Sequence, residues 1–480
     1  MAFHDECAVF GIWGDTEAGR MTYLGLYSQQ HRGQESSGIV TLKTSGFTED
    51  RPTHMVHKGL GLVGEVFSEE DLQRLEGTAA IGHNRYSTTG ENLIANAQPL
   101  TANLRSGPIA VAHNGNIVNS ASLRESLIAK GAIFQGTNDT EVILHLLSQS
   151  SNPKRPHDGT ADLIASLKET SRELEGAYSL VVLSHNCLVA MRDPYGFRPL
   201  VLGRRRNVDG AKSNPATVIA SETCAFDLIG AEYVREIEPG EIFWVDESGE
   251  HSDRLPKSVA KTAHCVFEHV YFARPDSLMF GRSVYESRKA MGRELAKESP
   301  ADADLVIPVP DSGVPAALGF SSESGLPFEL GIIRNHYIGR TFIQPSQSIR
   351  SFGVKIKLNA QAHILAGKRI VVVDDSLVRG TTSKKIIQLI RHAGAREVHF
   401  RLASPPSIGS CFYGVDTPKR AQLIAATKSI EEIRQYIGAD SLAYLSHDGL
   451  MRAVRADNQG FCAACFTGKY PTDLFGLDQQ

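Results

Sequence analysis

The sequence predicts two different folds in series: an α+β front half of stacked antiparallel sheets with a few helices, and an α/β rear half built on a parallel sheet. Three observations carry this reading. Short β-type runs separated by Gly and Asn turns fill the front, as at Ala79 to Gly82, Ile109 to Ala112 and Tyr178 to Leu183, and runs punctuated in this way read as strands. Two helical patterns interrupt them, near Ser120 to Lys130 and Thr140 to Gln149. The rear changes style. Leu305 to Val309, Ile370 to Val373 and Val398 to Leu402 are near-continuous apolar runs, the pattern of strands buried on both faces of a parallel sheet. The second run leads into a helical pattern that reaches about His392, with Gly394 closing it.

A length of 480 residues accommodates two or three domains. The polar stretch between Glu250 and Ala263 marks the boundary, giving expected domains of residues 7–255 and 256–480. Ser151 to Thr160 reads as a surface loop, and the part from Ser429 onward is mixed and ends in a Cys-bearing tail.

Composition excludes some classes. Hydrophobic residues at 41% and charged residues at 22% are ordinary for a globular protein. A formal net charge of -4 gives no reason to expect nucleic acid or an anionic membrane as partner. No apolar run is long enough to span a bilayer. Met1 to Glu6 is short and acidic, unlike a signal peptide. A cytoplasmic protein is the expectation. Seven cysteines over so long a chain fit a reducing compartment and make a poor disulfide framework.

Cys7 precedes an apolar strand in His4-Asp5-Glu6-Cys7-Ala8-Val9-Phe10-Gly11. A lone cysteine there is ordinarily a small buried hydrophobe. Four polar clusters change its context: His31-Arg32-Gly33-Gln34, Gly82-His83-Asn84-Arg85-Tyr86-Ser87, His113-Asn114-Gly115-Asn116 and Asn138-Asp139-Thr140-Glu141. Each alone reads as a turn. Four such clusters at strand ends read as loops around one site.

With Cys7 and its Gly-Ile-Trp-Gly follow-on, these segments resemble an N-terminal-nucleophile glutaminase domain. The resemblance implies that residues 1–6 are a propeptide, removed to expose Cys7. Its thiol would attack the side-chain amide of glutamine. A free α-amino group titrates near pH ~8 and would serve as the base. Arg85 would hold the α-carboxylate of glutamine through its guanidinium fork, and Asp139 the α-ammonium. Asn114 and Gly115 would form the oxyanion hole. Arg32 and Tyr86 would shape the pocket.

The strongest signal lies in the rear half. Ile370-Val371-Val372-Val373-Asp374-Asp375-Ser376-Leu377-Val378-Arg379-Gly380-Thr381-Thr382 is a buried strand ending in two acids, then a loop, then a helix. Backbone N–H groups and the helix dipole make such a loop an anion site. The two hydroxyls of Thr381 and Thr382 add donors. Paired acids suit ribose hydroxyls or a Mg²⁺ ion. A Walker motif is absent.

This segment resembles the phosphoribosyl-diphosphate motif of type I phosphoribosyltransferases. The resemblance implies that Asp374 and Asp375 hold ribose hydroxyls and metal, with Ser376 to Thr382 (Arg379 and Gly380 among them) around the 5-phosphate. Ser312, in Pro308-Val309-Pro310-Asp311-Ser312-Gly313, matches a third metal-associated position, for one Mg²⁺ per subunit. Arg340 opens a segment that resembles a lid loop. Lys355 and Lys357 lie just beyond and would meet the diphosphate.

Glutaminase and phosphoribosyl site together resemble the amidophosphoribosyltransferase family from Cys7 to Asp473. The reaction this implies opens purine synthesis: ammonia from glutamine attacks C1 of 5-phosphoribosyl 1-diphosphate and releases diphosphate. An enclosed path would keep the ammonia unprotonated. The resemblance further implies a homotetramer inhibited by purine nucleotides.

Cys462 and Cys465 form a CxxC, while Cys265 and Cys411 are isolated. Spacing alone leaves a zinc site, a reactive CxxC and a 4Fe–4S cluster open. One branch of the family has four matching cysteines, a propeptide and one 4Fe–4S cluster per subunit, so the resemblance implies the cluster. Cys187 and Cys224 read as inert packing residues. Two rivals remain. An amidotransferase making an amino sugar phosphate or asparagine would need a different rear half, against the Asp374-Asp375 loop. A regulatory protein that only binds phosphoribosyl diphosphate would need no Cys7.

Overall fold

A computed structural model describes residues 7–43, 53–86, 93–150, 159–206, 215–335, 358–455 and 460–477. Residues 1–6, Arg340, Lys355 and Lys357 lie outside these residues, as does most of the loop expected at Ser151 to Thr160.

The front half holds strands β1 (Ala8–Trp13), β2 (Ser36–Lys43), β3 (Thr53–Leu60), β4 (Ala79–Arg85), β5 (Leu100–Leu104), β6 (Gly107–Ile117), β7 (Gly176–Ser184), β8 (Cys187–Arg192), β9 (Val201–Arg205), β10 (Ala216–Ala220), β11 (Ala231–Glu236), β12 (Glu241–Asp246) and β13 (Gly249–Arg254). They form two sheets, ordered β11-β9-β10-β1-β4-β2-β3 and β13-β12-β8-β7-β6-β5, with antiparallel neighbours throughout. The sheets stack face to face. Val9, Val40 and Ile81 of the first meet Ala110, Ala112, Val181 and Leu188 of the second. Small residues let them approach closely: a methyl on Gly11 would fall 2.8 Å from a Val181 methyl carbon.

Helices cover the outer faces. Ala18–Ser28 packs Leu26 on Phe10 and Ile12. Thr140–Ser150 and Thr160–Glu173 pack Ile143, Leu147, Leu163 and Leu167 on Val111, Leu180 and Val189. The result is a four-layer helix–sheet–sheet–helix stack, with β1 near the middle of its sheet.

In the rear half β14 (His264–Cys265) pairs with the late strand Phe461–Cys462. The main sheet contains Leu305–Pro308, Arg369–Asp374, Glu397–Leu402 and Ser441–Tyr444 in that order, all parallel. Alternate residues face opposite sides, as strand geometry requires. Val306, Val371 and Val373 pack on helices Val284–Glu298 and Val314–Ser324. Ile307, Ile370, Val372 and Phe400 pack on helix Thr381–His392. The three apolar runs are strands of this parallel sheet, as read from the sequence, with Leu305–Pro308 at one edge. The fourth strand, Ser441–Tyr444, was not expected.

One detail corrects the sequence reading. The segments Gly82 to Arg85 and His113 to Asn116 lie within β4 and β6, and not on loops after them.

Candidate active site

The front site assembles where β1, β4 and β6 run side by side across the two sheets. Cys7 directly precedes β1 and is 6% exposed. Its thiol donates to the Tyr86 carbonyl at 3.5 Å, which sets it at the end of β4. Arg85, the last residue of β4, is buried with its guanidinium 3.5 Å from Glu35. Arg32 Nε donates to the Cys7 carbonyl at 3.1 Å. The arginine charge is met elsewhere, by Glu222 at 2.5 Å and Glu268 at 2.7 Å.

Asn114 reaches the same place through Ser221. Ser221 Oγ accepts from Val9 N–H at 3.0 Å and from Asn114 Nδ2 at 3.3 Å. Gly115, next along β6, has φ +148, and a side chain there would meet the Ala177 carbonyl oxygen at 2.1 Å. Only glycine fits that close approach. Asp139 precedes the helix Thr140–Ser150 and accepts from Ile117 N–H at 2.8 Å. Burial works against its charge, but His113 beside it and the backbone donors hold its carboxyl below the usual range. Asn138 caps the helix through Glu141 N–H at 3.0 Å. His83 and Asn84 are structural: His83 Nε2 lies 2.9 Å from the His113 carbonyl, and Asn84 bonds Ser37 and the Leu26 carbonyl.

The rear site is a cavity of about 140 Å³, lined by Tyr271, Ser312, Asp374, Asp375 and the loop Ser376 to Ser383. Gly380, at φ +73, starts the helix Thr381–His392, so the helix N-terminus opens onto the cavity. Burial, and then the charge of Asp375, push the Asp374 carboxyl well above its usual range. Burial raises Asp375 too, against hydroxyl donation from Ser312 and Ser376 and the nearby Arg288. Two buried carboxyls side by side suit a cation or hydroxyl donors. Arg379 lines the cavity but donates to Gln422 at 2.8 Å.

Cys265, Cys411, Cys462 and Cys465, far apart in sequence, line one small cavity with Phe197, Phe267 and Tyr413. Burial pushes Cys462 up to about 12, and burial together with the other three thiols drives Cys465 well above the usual thiol range. Among the described residues no three His, Cys, Asp or Glu side chains already stand as a metal-ligand group, so the thiols border the cavity without closing on one centre. An apolar chamber walled by four thiols fits a thiolate-held group, whose positive metals would favour the ionised form. Cys187 and Cys224 sit in the front half as buried packing residues; burial raises both thiols, Cys187 to about 12.

The thiol-lined cavity touches the front site. Asn116 Nδ2 donates to the Phe412 carbonyl at 3.0 Å. Tyr413 stacks on Phe197, with ring centroids 4.1 Å apart. Gly414 lies on Gly115: a methyl on Gly414 would fall 2.9 Å from Gly115 Cα. Ser221, Glu222 and Glu268 also belong to the front site. No local signal in the sequence singles out Glu268, and its partner Arg32 is distant in the chain.

Comparisons with known proteins find both domains. A glutamine amidotransferase domain model matches residues 83–226, and a phosphoribosyl transferase domain model matches residues 284–403. Chloroplastic amidophosphoribosyltransferase 1 of Arabidopsis thaliana is 53% identical over 468 residues, covering 97% of this chain and 79% of the relative. The amidophosphoribosyltransferase of Bacillus subtilis is 45% identical, covering 98% of this chain and 95% of the relative. A solved structure of the glutamine phosphoribosylpyrophosphate amidotransferase from B. subtilis, complexed with ADP and GMP, superposes with a TM-score of 0.88 at 45% identity, covering 98% of this chain and 99% of that one. With near-complete coverage at such identity, the chain belongs to the amidophosphoribosyltransferase family.

Proposed function

We propose that the chain hydrolyses glutamine at Cys7 and passes the ammonia to C1 of 5-phosphoribosyl 1-diphosphate, giving 5-phosphoribosylamine, diphosphate and glutamate. This is the first committed step of purine synthesis. The observation that carries the reading is the pair of buried carboxyls at Asp374 and Asp375, facing a glycine-led helix start. It stands in a chain whose other half buries Cys7 at the head of β1, a strand that Ser221 links to Asn114.

In this reading residues 1–6 are removed, and the Cys7 α-amino group takes the thiol proton as the thiol attacks the amide. Asn114 and the Gly115 N–H stabilise the oxyanion, Ser221 fixing the height of Asn114 against β1. Arg85 binds the substrate carboxylate and Asp139 its ammonium, with Tyr86 on the pocket wall. In the rear, Asp374 and Asp375 accept from the ribose hydroxyls. Ser376, Gly380, Thr381 and Thr382 donate to the 5-phosphate, and Arg379 adds charge. Arg340, Lys355 and Lys357 are assigned to the lid and diphosphate. Ser312, Asp374 and Asp375 would hold one Mg²⁺, which neutralises the leaving diphosphate when bound. Cys265, Cys411, Cys462 and Cys465 would hold one 4Fe–4S cluster in a structural role.

The B. subtilis relative was solved with ADP and GMP, and we assign purine nucleotides as inhibitors here too. A homotetramer in the cytoplasm completes the proposal. No described helix is long and apolar enough to cross a membrane.

Protein purified without oxygen is expected to release one diphosphate per glutamine hydrolysed and to carry four irons per chain. No glutamine-dependent diphosphate release would sink the function. One zinc per chain would keep it and replace the cluster. Gly414→Ala tests the contact between thiol cavity and oxyanion strand. A methyl forced against Gly115 is expected to lower kcat for glutamine hydrolysis by ~10-fold or more, since small misplacements of catalytic groups cost that much. Steady-state glutaminase assays with a melting curve check it.

A further inference from the structure

We infer that Glu268, contributed by the rear half, is a positioning residue for the Cys7 nucleophile and acts through Arg32. The inference rests on the reading of Cys7 as nucleophile. Glu268 lies in the π-helical turn Glu268–Phe272 and is fully buried. It takes Arg32 at two points, Nη1 at 3.0 Å and Nη2 at 2.7 Å. The Nε donor is thereby aimed at the Cys7 carbonyl, 3.1 Å away. A two-point grip on a planar guanidinium fixes its orientation as well as its position.

The carboxylate is itself held in place. Arg198 Nη2 donates to its Oε1 at 2.7 Å. Arg288 then locks the turn behind it, donating to the carbonyls of His269, Tyr271 and Ala273 at 2.7 to 2.8 Å. Glu222 meets the other side of Arg32 at 2.5 Å and also accepts from His31, Ser277 and the Arg274 N–H. The side chains of Arg32, Arg198, Glu222 and Glu268 are all fully shielded from solvent, so two cations face two anions.

Position matters more at Cys7 than at a mid-chain nucleophile. Once residues 1–6 are gone, the carbonyl is the backbone anchor on the Cys7 Cα that remains, and the amine and thiol swing about it. Arg32 holds that carbonyl, and the orientation of Arg32 is set across the boundary by Glu268. Release of the carboxylate would leave substrate binding by Arg85 and Asp139 intact while loosening the reacting pair.

The obvious variant, Glu268→Gln, leaves one buried cation in excess and risks misfolding. The double variant Arg198→Met with Glu268→Gln removes one charge of each sign, so it is the decisive one. It is expected to lower kcat for glutamine hydrolysis by ~10-fold or more while KM for glutamine and ammonia-dependent diphosphate release stay within about 2-fold of the parent. Glu268→Asp, which keeps the charge, should regain part of the lost kcat. An unchanged kcat in the folded double variant overturns the proposal. So does a fall in which kcat, KM and the ammonia-dependent rate move together, because that marks general disruption. Absence of glutaminase activity in the parent would refute the nucleophile reading itself.

Discussion

Cys7→Ala is expected to abolish glutamine hydrolysis, by ~10⁴-fold or more, and to leave synthesis from added ammonia within about 2-fold of the parent. The asymmetry follows from where the thiol sits. Cys7 is joined to Arg32 and Tyr86 at the head of β1 in the front half, whereas Asp374 ends a strand of the rear sheet and Asp375 follows it. Alanine keeps the β-carbon and the backbone, so the central strand stays paired with β4 and β10. What disappears is the thiol that the proposed reaction uses as its nucleophile. The α-amino group, the Asn114 side chain and the Arg85 fork all remain, but they have no nucleophile to serve. Two assays decide it: glutamate release from glutamine, and diphosphate release with an ammonium salt at a pH where free ammonia is present. Residual glutaminase at the parent's rate would remove Cys7 from the mechanism. Loss of both activities would show that the rear site depends on the thiol, against the division of labour drawn here.

How much of this was legible in the sequence depends on what each element buries. The three apolar rear strands announced themselves because residues on both faces are buried, so each run is nearly unbroken. Ser441–Tyr444 escaped because it is a half-buried edge strand with a Ser and a Tyr in four residues. The helix Ala18–Ser28 escaped for a different reason. Gly19 and Gly25 look like breakers, yet each is glycine because something lies against the helix there: a methyl on Gly25 would meet the Phe10 ring at 2.3 Å, and one on Gly19 the Leu75 carbonyl oxygen at 2.3 Å.

Site residues divide along the same line. Asn114, Gly115, Asp139 and the Asp374–Asp375 pair stood out as members of polar clusters, and Cys7 gained its meaning from the resemblance those clusters carry. Their placement was less legible, since two of the polar clusters sit inside strands, where they form the polar ends of otherwise buried β4 and β6. Ser221, Glu222 and Glu268 were invisible as a set, because each gains its meaning from a partner in another element. Glu268 and Arg32 are separated by 236 positions, and no local pattern reports such a pairing. The four cysteines show the intermediate case: the CxxC was visible, but only the fold brings Cys265 and Cys411 to it.

Asp374→Asn is expected to separate stability from activity in the opposite directions. Both carboxyls of the pair titrate above their ordinary range, through burial first and then, for Asp374, the charge of its neighbour. The folded chain therefore holds protons that the unfolded chain has already released. Between the unfolded and the folded pKa, stability falls as pH rises, and above the folded value the whole penalty is present. A cation at the site would replace those protons, so added Mg²⁺ is expected to raise the melting temperature of the parent at neutral pH and to do so less as pH falls. Asparagine removes one of the two buried charges at nearly the same volume. Without Mg²⁺ the rear half of the variant is expected to melt ~2–4 °C above that of the parent at neutral pH, the shift that about 1 kcal/mol gives in a unit of roughly 200 residues, and its response to Mg²⁺ should shrink. Activity moves the other way. Phosphoribosyl transfer, from glutamine or from ammonia, is expected to fall by ~10²-fold or more, because an amide accepts from the ribose hydroxyl with half the capacity of a carboxylate and offers no charge to a metal. Glutamine hydrolysis should continue, since Cys7 and its partners are untouched. Melting curves across pH with and without Mg²⁺, run beside the ammonia-dependent assay, test both halves. A variant that is less stable and equally active would place the ribose and metal elsewhere. The pair is buried at a cost to the fold, and the expected trade identifies the ligand chemistry for which that cost is kept.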